Sequence, residues 1–144
     1  MSDSVLKLEN TSIFQDKNLI LSEINIDVKK GEFVYLIGKT GSGKSSLLKT
    51  LYGDLKLNHG KGEIVGFDLE ALKDKKIPFL RRKLGIVFQD FKLLNERTVY
   101  GNLKFVLQAT GWKEREKINQ KIEAVLTKVN MESKKDKFPF ELSG

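Results

Sequence analysis

The 144-residue sequence has no cysteine, a single histidine and only two prolines. Without cysteine, the chain can form neither a disulfide framework nor a thiolate-based metal or redox site. No apolar run approaches the roughly 20 residues that a membrane-spanning helix needs. Residues 1–10 also lack the basic and apolar regions of a secretory signal. We therefore expect a protein that works in the cytoplasm.

Positive charge exceeds negative charge, with 26 Lys and Arg against 19 Asp and Glu, a net charge of +7. A basic face directed at phosphates, nucleic acid or anionic lipid would use such an excess. The lysines are spread along the chain, and no dense basic tract with interleaved aromatic residues stands out. We therefore expect dispersed, solvated lysines and no nucleic-acid partner.

Apolar residues form three stretches that are typical of β-strands. Residues 23–28 alternate between polar and apolar side chains, which predicts a half-buried strand. Residues 33–38 and 84–90 are continuous apolar runs of the kind found in buried parallel strands. An antiparallel start followed by strands that alternate with helices indicates an α/β fold.

Three helices are expected, over residues 44–53, 98–111 and 113–130. Leu47, Leu48 and Leu51 should share one face of the first helix, and Gly53 should end it. In the second helix Thr98 is a predicted N-cap and Gly111 a predicted stop. Apolar residues recur at helical spacing in the third helix: Ile118, Ile122, Val125, Leu126 and Val129.

Residues 38–46, "GKTGSGKSS", contain the pattern G-x-x-x-x-G-K-[ST] of a phosphate-binding loop. Its glycines should allow positive φ angles and a close approach of the backbone to oxygen atoms. The loop N–H groups would then form an anion-binding nest at a helix N-terminus. The predicted nucleotide-binding residues are Gly38, Lys39, Thr40, Gly41, Ser42, Gly43, Lys44, Ser45 and Ser46.

Three side chains of this loop have specific predicted roles. Lys44 can reach the β- and γ-phosphates as a point charge, and Ser45 can offer its hydroxyl to Mg²⁺. Ser46 can assist near the α-phosphate. Kinases, GTPases and motor ATPases all carry such a loop, so the pattern predicts phosphate binding without naming the reaction.

Two further segments extend the pattern to a known family. "VFQDFKLL" places Gln89 at the end of a predicted strand, and "ELSG", residues 141–144, is similar to the start of an "LSGGQ" signature. With the phosphate-binding loop, known in the family as Walker A, these segments occur in the family's order. Over its whole length the chain resembles the nucleotide-binding domain of ABC-type ATPases.

The resemblance implies a P-loop NTPase fold with an N-terminal antiparallel β subdomain, a partial parallel core sheet and a helical subdomain. It implies ATP and Mg²⁺ as ligands, with Lys44 and Gln89 as catalytic residues and Ser45 and Gln89 as Mg²⁺ ligands. Two copies would pair head to tail, so that Ser143 and Gly144 of one copy contact the nucleotide of the other.

Phe14 resembles the aromatic residue that stacks on adenine in this family, where tyrosine is usual. Its ring supplies the π face that such stacking requires. A phenylalanine in the core or on the surface of a hairpin is the alternative, and the sequence leaves both open.

Within the family, "PFLRR", "FQD" and "RTVYGN" most resemble the FtsE-like cell-division ATPases. This resemblance implies a cytoplasmic subunit on the inner face of the cell membrane, held there by an FtsX-like integral membrane partner. The segment Phe91–Tyr100 would face that partner, although packing of the helical subdomain explains it equally well. The alternatives are an ATPase of lipoprotein release or efflux, and a nucleotide-binding scaffold that does not hydrolyse.

The family's Walker B aspartate, catalytic glutamate and switch histidine are not assigned. His59 follows the first helix and is predicted to be a turn residue, and Asp90 and Glu96 are not taken as substitutes. We expect residues 1–144 to be the N-terminal part of one ABC domain, truncated inside the signature. Such a fragment should expose apolar faces and lack efficient hydrolysis.

Overall fold

A computed structural model of the chain describes residues 3–143. The chain forms two compact units, which meet in the sequence between Gly85 and Ile86. The first unit holds a β-sheet and two helices, and the second holds two longer helices.

The first unit is built on a four-stranded antiparallel sheet with the strand order β2-β1-β3-β4. The strands are β1 (Ser4–Gln15), β2 (Asn18–Lys29), β3 (His59–Ile64) and β4 (Phe67–Asp68). β1 pairs with both β2 and β3, and its Leu8 and Ile13, which pack in the core of the first unit, are each only 1% exposed. The strand predicted at residues 23–28 lies within β2 and is confirmed.

All three predicted helices are confirmed. The helices are α1 (Lys44–Leu51), α2 (Ile77–Arg81), α3 (Val99–Ala109) and α4 (Arg115–Lys128). Single 3-10 turns lie at Asp74–Lys76, Glu132–Lys134 and Pro139–Glu141. Thr98 is the N-cap of α3, since its hydroxyl accepts the N–H of Gly101 at 3.1 Å. Gly53 and Gly111 adopt left-handed φ angles of 75° and 100° just beyond the helices they end.

Each unit has its own apolar core. In the first unit the buried residues are Leu8, Ile13, Leu47, Leu57, Ile64, Leu69 and Leu80. In the second unit Ile118, Ile122 and Leu126 of α4 pack against residues of α3, as the helical spacing predicts. Leu48 is an exception, because it is 51% exposed and does not share the buried face of Leu47. Val129 is another, because it follows the end of α4 and is 61% exposed.

The parallel strands predicted at residues 33–38 and 84–90 are wrong for the described part of the chain. Neither segment is a strand, and the sheet formed by residues 3–143 is antiparallel throughout. A strand exists only through hydrogen bonds to a neighbouring strand, and neither segment has such a neighbour here. Their side chains are therefore open to solvent. Phe33 is 81% exposed and Ile37 is 89% exposed, which confirms the expected apolar exposure.

None of the helices within residues 3–143 combines the length and apolar character that crossing a membrane requires.

Candidate nucleotide-binding site

The predicted phosphate-binding loop, residues 38–46, follows the apolar segment 33–38 and ends at the N-terminus of α1. Gly41 and Gly43 have φ angles of 82° and 92°, which confirms the prediction of left-handed backbone at these two positions. The same prediction is wrong for Gly38, whose φ is not in the left-handed region. A Cβ atom there would lie 2.5 Å from the Ser42 hydroxyl oxygen, so the Ser42 side chain would have to turn away to make room.

Strand β2 supports the end of the loop. A Cβ atom on Gly43, the N-cap of α1, would lie 2.9 Å from Cγ of Leu21 and 3.0 Å from Cγ2 of Ile20. The backbone of the loop therefore rests against two side chains of β2. This packing fixes where α1 begins, and so where its N-terminus is directed.

The Lys44 side chain folds back into the loop. Its ammonium group donates hydrogen bonds to the carbonyl oxygens of Gly38 at 2.5 Å and Lys39 at 2.8 Å, and to the Ser42 hydroxyl at 3.2 Å. An ammonium group has three donors, and all three are used within the loop. The loop is thus wrapped around one positive charge, which is the arrangement that attracts a phosphate group.

Backbone N–H groups add to this positive potential. The first bond of α1 runs from the N–H of Leu47 to the carbonyl of Gly43 at 2.9 Å. The N–H groups of the three preceding residues, 44–46, therefore have no partner one helical turn back. Such groups, together with the helix dipole, make a helix N-terminus a binding site for anions.

The two serines after Lys44 differ in exposure. Ser45 is exposed, whereas Ser46 is buried and its carbonyl accepts the Thr50 hydroxyl at 2.9 Å. The Ser45 hydroxyl is thus accessible for the predicted bond to Mg²⁺. Within residues 3–143, no three His, Asp or Glu side chains converge into a metal site. A Mg²⁺ ion at Ser45 would depend on nucleotide phosphates and water for further ligands, as this ion commonly does.

Phe14 lies near the end of β1 and is half-buried. Its ring contacts the ring of His59, with a centroid distance of 4.8 Å and an interplanar angle of 44°. His59 is not a turn residue as predicted, because it begins β3 and pairs with Ser12. No sequence pattern indicated this aromatic pair, which depends on the register between β1 and β3. Stacking of adenine on Phe14 stays a prediction.

The other predicted site residues lie in the second unit. Gln89 is exposed at a turn, and Ser143 is exposed just after the Pro139–Glu141 turn. Gly144 lies outside the described residues. The structure brings the loop residues 38–46 together, and the roles of Gln89, Ser143 and Gly144 stay predictions.

Asp90, next to Gln89, is a poor candidate for a catalytic base. The Lys92 ammonium lies 2.7 Å from its carboxylate, and this hydrogen bond lowers the pKa of Asp90 below its usual value. A carboxylate with a lowered pKa is a weaker proton acceptor at neutral pH. Asp90 is thus engaged by Lys92, and its lack of a catalytic role stays a prediction.

Asn102 was not identified from the sequence, yet it organises the segment Phe91–Tyr100. Its amide oxygen accepts the N–H of Leu94 at 2.8 Å, and its amide nitrogen donates to the Leu94 carbonyl at 3.0 Å. It also donates to the carbonyls of Arg97 and Thr98. The side chain thereby ties the segment to α3 while Phe91 remains 62% exposed. An asparagine in the first turns of a predicted helix was the only signal available.

Three comparisons relate the chain to known proteins. A family profile described as "ABC transporter" matches residues 21–144. The cell division ATP-binding protein FtsE of Streptococcus pneumoniae serotype 2 (strain D39 / NCTC 7466) is 38% identical over the whole chain and 60% of its own length. The methionine import ATP-binding protein MetN of Carboxydothermus hydrogenoformans is 36% identical over 97% of the chain and 41% of its own length.

A solved structure is similar as well. The dimeric, post-hydrolysis ATP-binding cassette MJ0796, bound to ADP and Pi, superposes with a TM-score of 0.80 at 28% identity. The superposition covers 96% of this chain and 63% of that one. Among the curated relatives, the chain spans about 60% of the length of the first ones that it matches. Since the family profile matches all but the first 20 residues, the chain belongs to the ABC transporter family.

Proposed function

We propose that the chain is part of an ABC-type ATPase subunit and binds Mg²⁺-ATP at residues 38–46. The observation that carries this proposal is the loop wrapped around the Lys44 ammonium at the N-terminus of α1. A polyphosphate that enters the loop would replace the backbone carbonyls as the partner of this ammonium. The exposed Ser45 hydroxyl would bind the Mg²⁺ that accompanies the phosphates.

Hydrolysis belongs to the proposal for the whole protein. Phosphoryl transfer depends on positioning and on electrostatic stabilisation of the transferred group, which Lys44 and Mg²⁺ would supply. We propose a head-to-tail dimer in which Ser143 and Gly144 of one copy contact the nucleotide of the other. The dimeric state of the similar cassette MJ0796 supports this arrangement.

Nucleotide binding is tested by titrating the purified protein with a fluorescent ATP analogue and Mg²⁺. The substitution Lys44→Ala should weaken binding about tenfold or more, because a charge-assisted hydrogen bond to phosphate is lost. Lys113→Ala removes the same charge at an exposed position of the second unit and should leave binding unchanged. Equal affinity in the two variants would overturn the proposed site.

For the cellular role, we propose coupling of ATP binding and hydrolysis to cell division through an FtsX-like membrane protein. The 38% identity to the pneumococcal cell division protein over the whole chain supports this role. The subunit would be cytoplasmic and peripheral on the inner face of the cell membrane. The segment Phe91–Tyr100, which keeps apolar side chains such as Phe91 and Leu93 exposed, would contact the partner.

An import or export ATPase is the second candidate, because the methionine import protein matches nearly the same length at 36% identity. Co-purification of the tagged protein with either an FtsX-type protein or a transport permease of the same genome separates the two roles. Recovery of the permease alone would refute the division role. ATP binding without turnover in the whole protein would instead favour a non-hydrolysing scaffold.

A further inference from the structure

The excess positive charge of the chain is concentrated in one short segment. Residues 73–83, here named the basic turn, hold six Lys or Arg residues and a single acid, Asp74. The expectation that the lysines are evenly dispersed is therefore wrong for this segment. The basic turn contains the 3-10 turn Asp74–Lys76 and α2, and Leu80, which is 0% exposed, anchors it in the core.

An exposed aromatic ring lies at the centre of the basic turn. Phe79 is 51% exposed. The Lys76 ammonium lies 5.8 Å from the centre of its ring, and the Arg82 guanidinium lies 5.3 Å from it. Both distances are within the range of cation–π attraction. The ring thus lies at the surface with two cations within cation–π distance.

Within the part of the chain that the structure describes, most of the cations in the basic turn form no ion pair. Arg81 is the exception, since it donates to the Tyr52 carbonyl at 3.0 Å and lies 3.6 Å from the Asp54 carboxylate. The single acid, Asp74, is engaged by Lys56 at 3.5 Å. Five cations form no ion pair within residues 3–143: Lys73, Lys75, Lys76, Arg82 and Lys83.

We propose that the basic turn binds directly to the surface of a membrane that contains anionic phospholipids. Unpaired lysines and arginines next to such a surface are attracted to its negative potential, and each one strengthens binding. An exposed aromatic ring among them can enter the boundary between headgroups and acyl chains, with the flanking cations at the level of the phosphates. This contact goes beyond the proposed function, because it requires neither nucleotide nor a protein partner.

The geometry favours a lipid surface over a nucleic acid. Single-stranded nucleic acid is bound by grooves that follow the backbone and stack several bases on several aromatic residues. The basic turn offers one ring and covers only eleven residues. A membrane surface requires no such groove, and one ring with cations around it is sufficient for contact.

The proposal is tested by co-sedimentation of the purified protein with vesicles, without nucleotide, so that the result does not depend on residues 38–46. Vesicles of phosphatidylcholine alone are compared with vesicles that also contain phosphatidylglycerol. Binding should require phosphatidylglycerol and should weaken at high salt, because the attraction is screened. Equal binding to both kinds of vesicle would overturn the proposal.

Charge reversal locates the contact. The double variant Lys76→Glu/Arg82→Glu should lower the partition constant about tenfold or more, since two attractions become repulsions. The control Lys113→Glu/Lys121→Glu makes the same change in net charge at exposed positions of the second unit and should have a much smaller effect. Equal losses in the two double variants would show general attraction by net charge and would overturn the assignment to the basic turn.

The aromatic ring is tested without any change in charge. Phe79→Ala should weaken vesicle binding several-fold, and Phe79→Leu should restore most of it, because an apolar side chain again enters the interface. Circular dichroism of each variant confirms that the fold is retained. No loss in Phe79→Ala, or tighter binding of the wild type to a single-stranded oligonucleotide than to anionic vesicles, would refute the proposal.

Discussion

Strand β1 and the segment 33–38 are two apolar stretches of the first unit with opposite structures. β1 has paired strands on both sides, and its Leu8 and Ile13 are almost fully buried. The segment 33–38 is more continuously apolar, yet it has no paired neighbour within residues 3–143, and its side chains are 43–89% exposed from Phe33 to Ile37. Apolar sequence alone therefore does not make a strand.

The difference lies in what surrounds each stretch. A two-residue turn connects β1 to β2, so the first strand that pairs with β1 is also its neighbour in the sequence. β3 then adds the second partner, and the core residues of α1 and α2 cover the sheet. A parallel strand instead requires a neighbour that arrives through a long connection. The segment 33–38 is thus exposed because it lacks a neighbouring strand, and its backbone could pair with one.

The largest expected effect contrasts buried and exposed side chains of these two stretches. Leu8→Ala in β1 should lower the free energy of unfolding by about 2–5 kcal/mol, because it leaves a cavity in the core. Ile37→Ala removes similar apolar area from a side chain that is 89% exposed, and should change stability by less than about 0.5 kcal/mol. Urea unfolding followed by circular dichroism measures both. Similar losses would show that the segment 33–38 is packed in solution.

A second contrast tests how closely β1 and β3 must approach. Gly60 in β3 has a φ of 86°, and a Cβ atom there would lie 2.5 Å from Cα of Thr11 and against the carbonyl of Asn10. Gly60→Ala should therefore cost about 1–3 kcal/mol through strain and displaced backbone. Gly66 has a similar φ of 81° but open space around it, so Gly66→Ala should cost only about 1 kcal/mol.

The measurement is again unfolding in urea, with the two alanine variants compared in one experiment. Both glycines have a left-handed backbone conformation. The difference in unfolding free energy between the two variants therefore reports the close contact between β1 and β3. An equal cost at the two positions would mean that backbone strain alone determines it.

Local patterns predicted the elements that are complete within short stretches of sequence. The alternation at residues 23–28, the cap at Thr98 and the stops at Gly53 and Gly111 all depend on neighbouring residues, and all are confirmed. Residues 33–38 and 84–90 were mispredicted because strand formation depends on a partner distant in sequence. Leu48 was mispredicted because spacing defines a face of α1 but not how far the core extends around it.

The candidate site divides in the same way. The spacing of Gly38, Gly43, Lys44 and Ser45 predicted a phosphate-binding loop. The structure folds residues 38–46 around the Lys44 ammonium, and phosphate binding stays a prediction. The contact between Phe14 and His59 could not be predicted, since the irregular register between β1 and β3 creates it. The conformation of Gly38 was also beyond the pattern, which does not indicate which of the loop glycines adopts a positive φ.

The segment Phe91–Tyr100 is held by a side chain, whereas β1 is held by pairing with neighbouring strands. Asn102 makes four hydrogen bonds to the backbone of residues 94–98. Asn102→Ala should lower the stability of the second unit by about 1–2 kcal/mol, because the part-buried N–H of Leu94 loses its partner. Hydrogen exchange at the Leu94 amide should accelerate most.

Gln108→Ala is the matched control, because Gln108 is an exposed amide residue on the same helix and should have little effect. Unchanged protection of Leu94 in Asn102→Ala would mean that the segment is held by packing alone. Burial of side chains would then stabilise the segment, as it does in β1, and the hydrogen bonds of Asn102 would contribute little.

The smallest expected effect concerns a backbone N–H that is bonded to a charged side chain, in contrast to the N–H groups of β1, which bond to neighbouring strands. The Glu141 carboxylate accepts the N–H of Phe138 at 2.8 Å, and this bond, supported by Lys137, lowers the pKa of Glu141 below its usual value of 4.5. A carboxyl group with a lowered pKa in the folded state stabilises the fold above its unfolded pKa. That contribution is lost as the pH falls through the lower, folded value.

The Phe138 amide resonance should therefore shift below pH 4.5 in an NMR titration. The amide of Ile13, which lies within β1, should not follow the same curve. Glu141→Gln should abolish the Phe138 transition, because the amide side chain does not titrate in this range. A Phe138 transition that persists in this variant would assign the pH dependence to another group. The turn before Ser143 would then be held, like β1, by contacts that do not depend on this carboxylate.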